Sequence, residues 1–292
     1  MGQVIDANTS GDYAGAQAAS LQSIDLFHTL NSAAGADRAA VERAYAEQRL
    51  FAWDRCRQDA ESVLGQHNEF TWIHAQAASL AAGCDLGPGS ASMNNPRFAE
   101  AFQLAKANHY LLLELRARTG MASWAFQSGD NEDAWRLMLE AIHCFYAGDF
   151  PPFRVGTFAA SLAMVEANSP RVYLSLLLSR EEVSLFELSK NQTLITTARS
   201  HLIRAALRSG ALHEAQEQMN LEKVEASQLP GSGFPREYRA ENELGVADVY
   251  LDRHDLTDAA RQLDDGLLKT ATAIVELLAA TERPPQPPRS RR

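Results

Sequence analysis

Around three tight turns the chain repeats one placement of slim residues. Ala122 stands seven positions before the turn Gly129-Asp130 and Ala134 five positions after its glycine; Ile203, Gly210 and Ala215 repeat that spacing, and so do Ala247, His254 and Ala259. Two helices can cross closely only where such residues face each other, because larger side chains hold the axes apart. Each stretch therefore reads as a helix, a turn and a second helix. Ala141, Met219 and Gly266 continue the apolar face of the second helices one or two turns further on. A chain with this pattern is constrained to a helical-hairpin repeat.

The pattern extends in both directions. Ala16, Cys56, Ala101, Ala134, Tyr173, Ala215 and Ala259 mark the start of successive second helices, at intervals of 33 to 45 residues. Two helices of about four turns with their connections fill such an interval. At 292 residues the chain exceeds the usual size of one globular core, yet no break in composition divides it. A solenoid escapes that limit, since each repeat buries its apolar face only against its neighbours. Sustained alternation of β-branched residues is lacking, and helix formers dominate between turns. The fold class expected is all-α, a right-handed α-solenoid of about six hairpins over residues 1–282.

The hairpins are expected at 37–51 with 54–64, 70–82 with 97–107, 109–127 with 132–146, 155–167 with 171–188, 192–208 with 212–226, and 237–252 with 256–282. A helix from Asp12 to Leu30 comes first. Only about ten residues precede it, short of a stable partner helix, so the array is expected to start in mid-hairpin. Trp53 is expected in the core. The stretch Asp85 to Pro96 (DLGPGSASMNNP) reads as an exposed loop inserted between repeat helices. The aromatic and proline cluster Gly148 to Arg154 is expected to stiffen its connection and fold back on the array. The end, Arg283 to Arg292 (RPPQPPRSRR), reads as a disordered tail that also fits a PxxPxR pattern through Pro284, Pro287 and Arg289.

The residues Ala122, Gly129, Asp130, Ala134 and Ala141, repeated by Ala247, Tyr250, Asp255, Ala259 and Gly266, resemble the tetratricopeptide repeat. A second likeness, from Ala134-Trp135 through Tyr146 to Pro151, Arg154 and Arg180-Glu181, is to the irregular repeats that precede caspase-like CHAT modules in bacterial signalling proteins. In tetratricopeptide arrays the first helices line a concave groove. The resemblance implies that Arg116, Thr119, Ser123 and Phe126 face that groove in one repeat, Thr197, Ser200, Arg204 and Arg208 in another, and Glu241, Leu244, Asp248 and Asp252 in the last. Arg204 and Asp248 hold equivalent positions, so they either meet a partner's charges or pair with each other. The Asn and Lys pattern of the chaperone-binding carboxylate clamp is missing.

Chemistry is sparse. No GxxxxGK loop, GxSxG elbow, HExxH or CxxC is present. His254-Asp255 occupies a turn where another repeat has Gly129-Asp130, which assigns it to structure rather than to a metal. His143 and Cys144 are adjacent on a helix and diverge by about 100°, a poor arrangement for a nucleophile and base. Glu181-Glu182 reads as a solvated helix face. Three widely spaced cysteines, Cys56, Cys84 and Cys144, suggest neither a disulfide framework nor a metal site.

A net charge of -10, with 27 Lys and Arg against 37 Asp and Glu, opposes nucleic-acid binding through the general surface. No signal peptide or bilayer-length apolar run is visible, and the cysteines fit a reducing cytoplasm. The expected function is a non-catalytic protein-interaction scaffold, an adaptor or sensor in a bacterial signalling assembly. Its partner would be a protein or peptide, with no cofactor, metal, nucleic acid or membrane. The rivals are a regulator that responds to a peptide or small molecule, and a hydrolase with polar residues converging in a deep pocket.

Overall fold

The computed structural model describes residues 1–66, 70–85, 96–148, 150, 152–167 and 171–228. Among these residues twelve α-helices form six consecutive pairs and there is no strand. The pairs are α1 (Gly2–Ser10) with α2 (Tyr13–Thr29), α3 (Ala33–Arg49) with α4 (Trp53–Leu64), and α5 (Thr71–Cys84) with α6 (Pro96–Ala107). They continue with α7 (Leu111–Gln127) and α8 (Asn131–Ala147), α9 (Pro152–Ala167) and α10 (Val172–Ser189), and α11 (Gln192–Ser209) and α12 (Leu212–Gln228). The expected hairpin of 237–252 with 256–282, residues 86–95 of the inserted loop and the C-terminal tail lie outside the described residues.

Five connections share one backbone solution. Asn31, Phe51, His109, Gly129 and Gly210 each take a left-handed conformation, φ between 53° and 88°. Each donates its N–H three residues back, and the next residue donates five residues back, as with Gly129 to Phe126 and Asp130 to Ala125 at 3.0 and 2.9 Å. This paired bond closes the orphan carbonyls of a helix end while reversing the chain. The following helix is then started by a side chain in several cases: Asp12 accepts from the N–H of Gly15, Ser32 from Gly35, Asp130 from Asp133 and Asn191 from Leu194.

Consecutive helices pack in chain order, and the odd-numbered helices also meet in succession, α1 with α3, α3 with α5, and on to α9 with α11. Among the described residues no comparable succession joins the even-numbered helices. Crowding of the odd helices bends the array, so they form its concave side and the even helices its outer side. This is a helical solenoid. Its core runs along the hairpins as linked clusters, such as Leu115, Ala122, Leu137, Met138, Ala141, Phe158 and Leu162 around α7, α8 and α9. The slim residues do sit at the crossings: Ala16, Cys56, Ala122, Ala134 and Ala141 have no exposed surface, and Ala101, Ile203 and Ala215 have 1%. Phe150 packs against the same cluster and stacks on Phe145, as expected.

Four readings of the sequence are corrected here. The residues before Gly11, expected to be too short for a helix, form α1, which packs on α2 and α3; its nine residues are stabilised by tertiary contact rather than by length. Tyr173 does not mark a crossing, since it is 70% exposed and Leu176 and Val183 face the core from α10 instead. Glu182 is no solvated residue: it has no exposed surface, and both carboxylate oxygens lie within 3.2 Å of the Nδ1 of His201. Cys56 and Cys84, 28 positions apart, form a disulfide with a Cα separation of 6.1 Å. Antiparallel packing of α4 on α5 brings them together, which spacing alone does not disclose. Trp53 is half-buried, edge-on to Phe51 at 5.3 Å.

Candidate binding cavity on the concave face

The curvature encloses a cavity of about 420 Å³ on the concave side. Its walls come from α3, α5, α7 and α9, with Phe98 of α6. Close approach of the walls depends on residues without side chains. Gly120 of α7 lies against the ring of Phe98, and Gly83 of α5 against the amide of Gln48. Apolar surface is supplied by Phe98, Leu112, Leu115 and Phe158, and neutral polar surface by Gln76, Ser79 and Thr119.

Charge in the lining is one-sided. Arg38, Arg49 and Arg116 line the cavity against a single carboxylate, Glu42, in a protein whose net charge is -10. Each guanidinium lies over an aromatic ring: Arg38 over Trp72 at 5.0 Å, Arg49 over Tyr13 at 5.6 Å and Arg116 over Tyr45 at 5.5 Å. Such contacts offset part of the cost of desolvating a cation. Glu42 is 5% exposed and accepts a hydrogen bond from the Nδ2 of Asn8 at 2.9 Å, while the same nitrogen donates to the Glu42 carbonyl at 3.1 Å. Tyr13 and Tyr45 meet edge to face at 6.2 Å, joining two of the arginine supports.

One end of this aromatic chain touches a distant part of the array. The Nδ2 of Asn191, between α10 and α11, donates to the Thr9 carbonyl at 3.0 Å and lies 3.3 Å from the Tyr13 hydroxyl. The α1–α2 turn thus meets the α10–α11 turn through the Asn191 side chain.

Of the residues predicted to face a groove, Arg116, Thr119 and Ser123 do line the cavity, and the Ser123 hydroxyl lies 3.4 Å from that of Ser161. Phe126 is half-buried and lies outside the lining. The α11 stripe is divided. Ser200 is 2% exposed and donates to Glu222 at 2.5 Å, so it belongs to the α11–α12 contact and not to a free groove; Arg204 is half-buried and Arg208 exposed, neither in the lining. Thr197, on the same helix, is half-buried and donates to the carbonyl of Thr193. Glu241, Leu244, Asp248 and Asp252 lie outside the described residues, and with them the pairing of Arg204 with Asp248.

Arg38, Glu42, Tyr45 and Arg49 were not singled out from the sequence, although steps of four, three and four place them on one face of α3. The turn before α3 centres on Asn31 rather than glycine, which hid the register of that helix. Trp72 of α5 was not singled out either.

No family model matches the chain and no curated protein matches it. Among solved structures, the crystal structure of BtubC (BKLC) from P. vanneervenii is similar, with a TM-score of 0.58 over 84% of this chain and 96% of that one. Sequence identity is 14%. The likeness is one of fold. Among the described residues no helix is long and apolar enough to cross a membrane, and no three potential ligands cluster for a metal ion.

Proposed function

We propose that the chain is a non-catalytic binding scaffold of the tetratricopeptide type, an adaptor or sensor whose concave face holds its partner. The observation that carries this reading is the cavity itself: three arginines supported on aromatic rings, walled by successive first helices of the array. Its described lining offers neither histidine nor cysteine, and its carboxylate is engaged by Asn8, which supports binding over general acid-base chemistry. A cationic concavity in an acidic protein selects an acidic partner and speeds its approach in a salt-dependent way.

Affinity capture with mass spectrometry at low and high salt, using wild type beside Arg38→Glu and Arg116→Glu, tests this reading. A partner retained by wild type and lost by both variants and by high salt is the expected result. Equal retention by the variants would remove the cavity from the account.

The enclosed volume favours a second reading, a regulator that responds to a small molecule. Cavities of about 300–1,000 Å³ are typical of such sites.

A further inference from the structure

We propose, on the reading that this enclosed space takes a small molecule, that its occupant is an aromatic compound with a carboxamide or lactam edge, where an N–H donor stands beside a carbonyl acceptor. The groups that recognise that edge are Gln76 and Ser79 of α5.

Burial sets the first constraint. From Ile73 to Cys84 every residue of α5 except His74 is buried, and the buried ones are apolar or glycine apart from Gln76 and Ser79. These two are 6% and 5% exposed, and both line the cavity. Trp72, Gln76, Ser79 and Gly83 follow in steps of four, three and four, which makes them one stripe of the helix, and all four belong to the lining. A core helix thus places its only buried polar side chains along the cavity.

Hydrogen bonding sets the second. Ser20, Thr119 and Ser200 are also buried on helices, and each returns its hydroxyl to the carbonyl four residues back. Among the described residues neither Gln76 nor Ser79 forms a side-chain hydrogen bond. An unmatched buried polar group is unfavourable, and a ligand that matches it removes that cost. The charged members of the lining are already engaged: Arg38 lies over Trp72, and Glu42, Arg49 and Arg116 have polar or ring contacts of their own. Recognition therefore falls to the neutral groups.

Shape sets the third. A side-chain amide carries a donor and an acceptor in one plane, so its full match is an edge carrying acceptor and donor likewise, as when glutamine forms two hydrogen bonds with the edge of a base. The Ser79 hydroxyl can give or take one further bond. Trp72, Phe98 and Phe158 supply apolar surface for a ring, and about 420 Å³ suits one small molecule.

Benzamide, quinazolinone, acetophenone and benzoate, offered to the full chain in calorimetry and thermal shift, test this assignment. Benzamide and quinazolinone are expected to bind and to raise the Tm. Acetophenone, close to benzamide in shape but without the donor, and benzoate, with acceptors only, are expected to bind at least about tenfold more weakly. Gln76→Leu should weaken benzamide binding by a similar factor, and Ser79→Ala should weaken it less. Gln76→Leu should also raise the Tm of the free protein, since an apolar chain replaces an unmatched amide. Arg55→Gln, on the exposed side of α4, should leave binding unchanged. Equal binding of acetophenone, tighter binding of benzoate, or undiminished benzamide binding by well-folded Gln76→Leu and Ser79→Ala proteins overturns the proposal, and the first two results leave the small-molecule reading in place. If neither these compounds nor a broad small-molecule screen by thermal shift yields a binder, that reading falls as well.

Discussion

Asn191 and Thr9 are 182 positions apart in sequence and joined by a hydrogen bond of 3.0 Å, from the side-chain amide of one to the carbonyl of the other. Asn191 is fully buried, and its Oδ1 meanwhile accepts from the N–H of Leu194, starting α11. One side chain therefore caps a helix and holds two remote turns together. Gly11 completes the contact: its φ is 88°, and a Cβ there would fall 2.6 Å from the Oδ1 of Asn191.

Replacement of Asn191 by Ala should therefore cost more than the loss of a cap. A helix cap alone contributes about 1 kcal/mol, and the half-buried Thr9 carbonyl, left without its donor, adds about 1 kcal/mol more. Asp12→Ala, which removes an exposed cap of α2, provides the reference. Urea unfolding of the two variants should show a deficit for Asn191→Ala at least about 1 kcal/mol larger. Equal deficits would mean that closure adds no stability.

The Cys56–Cys84 bridge ties α4 to the end of α5, beside the cavity wall formed by Gly83. Closing a loop of 28 positions stabilises by about 3.6 kcal/mol in the chain-entropy account. Reduction should lower the Tm, and Cys56→Ser with Cys84→Ser should reproduce the reduced value. Alkylation of the denatured, unreduced protein should label Cys144 alone, as its thiol is free. Three labels before reduction would show that the bridge is not formed.

Glu47 supplies a pH dependence of defined sign. It is 3% exposed, and burial pushes its carboxyl from 4.5 to about 7, against a hydrogen bond from Gln17 and with a further push from the charge of Asp59. The folded state holds this proton more tightly than the unfolded chain does. Its stabilising contribution is thus complete below about pH 4.5 and is lost as the pH rises through 7, a change of roughly 3 kcal/mol. Urea titrations at pH 5 and pH 8 should show wild type losing more stability than Glu47→Gln across that interval. Parallel loss in the two proteins would exclude Glu47 as the source.

Two glycines of the cavity wall should respond differently to alanine. At Gly120 an added methyl meets the ring of Phe98, which is 4% exposed, so the ring must shift at about 1–3 kcal/mol. At Gly83 the obstacle is the end of the Gln48 side chain, which can swing away, and alanine regains up to about 1 kcal/mol of helix propensity. Thermal denaturation should therefore show Gly120→Ala clearly destabilised and Gly83→Ala near wild type. The reverse order would contradict the wall geometry.

The architecture was legible because hairpin crossings require small residues and chemistry enforces that locally. Ala122, Ala134, Ala141, Ile203 and Ala215 could be placed in the core by spacing alone. The α7 part of the cavity wall was legible by the same register: Arg116, Thr119 and Ser123 follow from counting back from Gly129. Arg38 and Arg49 were not, because Asn31 and Phe51 adopt the left-handed turn without the glycine that advertises it. Ser200 was misplaced since its register is correct for the inner helix but its face is taken by Glu222 of α12.

By itself the sequence determined the helical class, the boundaries of the described hairpins from α3 to α12 and most of the residues at which those helices cross, all consequences of contacts a few positions apart. The tertiary structure alone decided how sharply the array bends. That curvature sums small offsets at every crossing, and it sets which remote residues meet: Asn191 with Thr9, and the arginines of α3 with the one on α7. Local propensity cannot encode a distance accumulated over ten helices. The cavity, and its charge, exist only once the chain has curled.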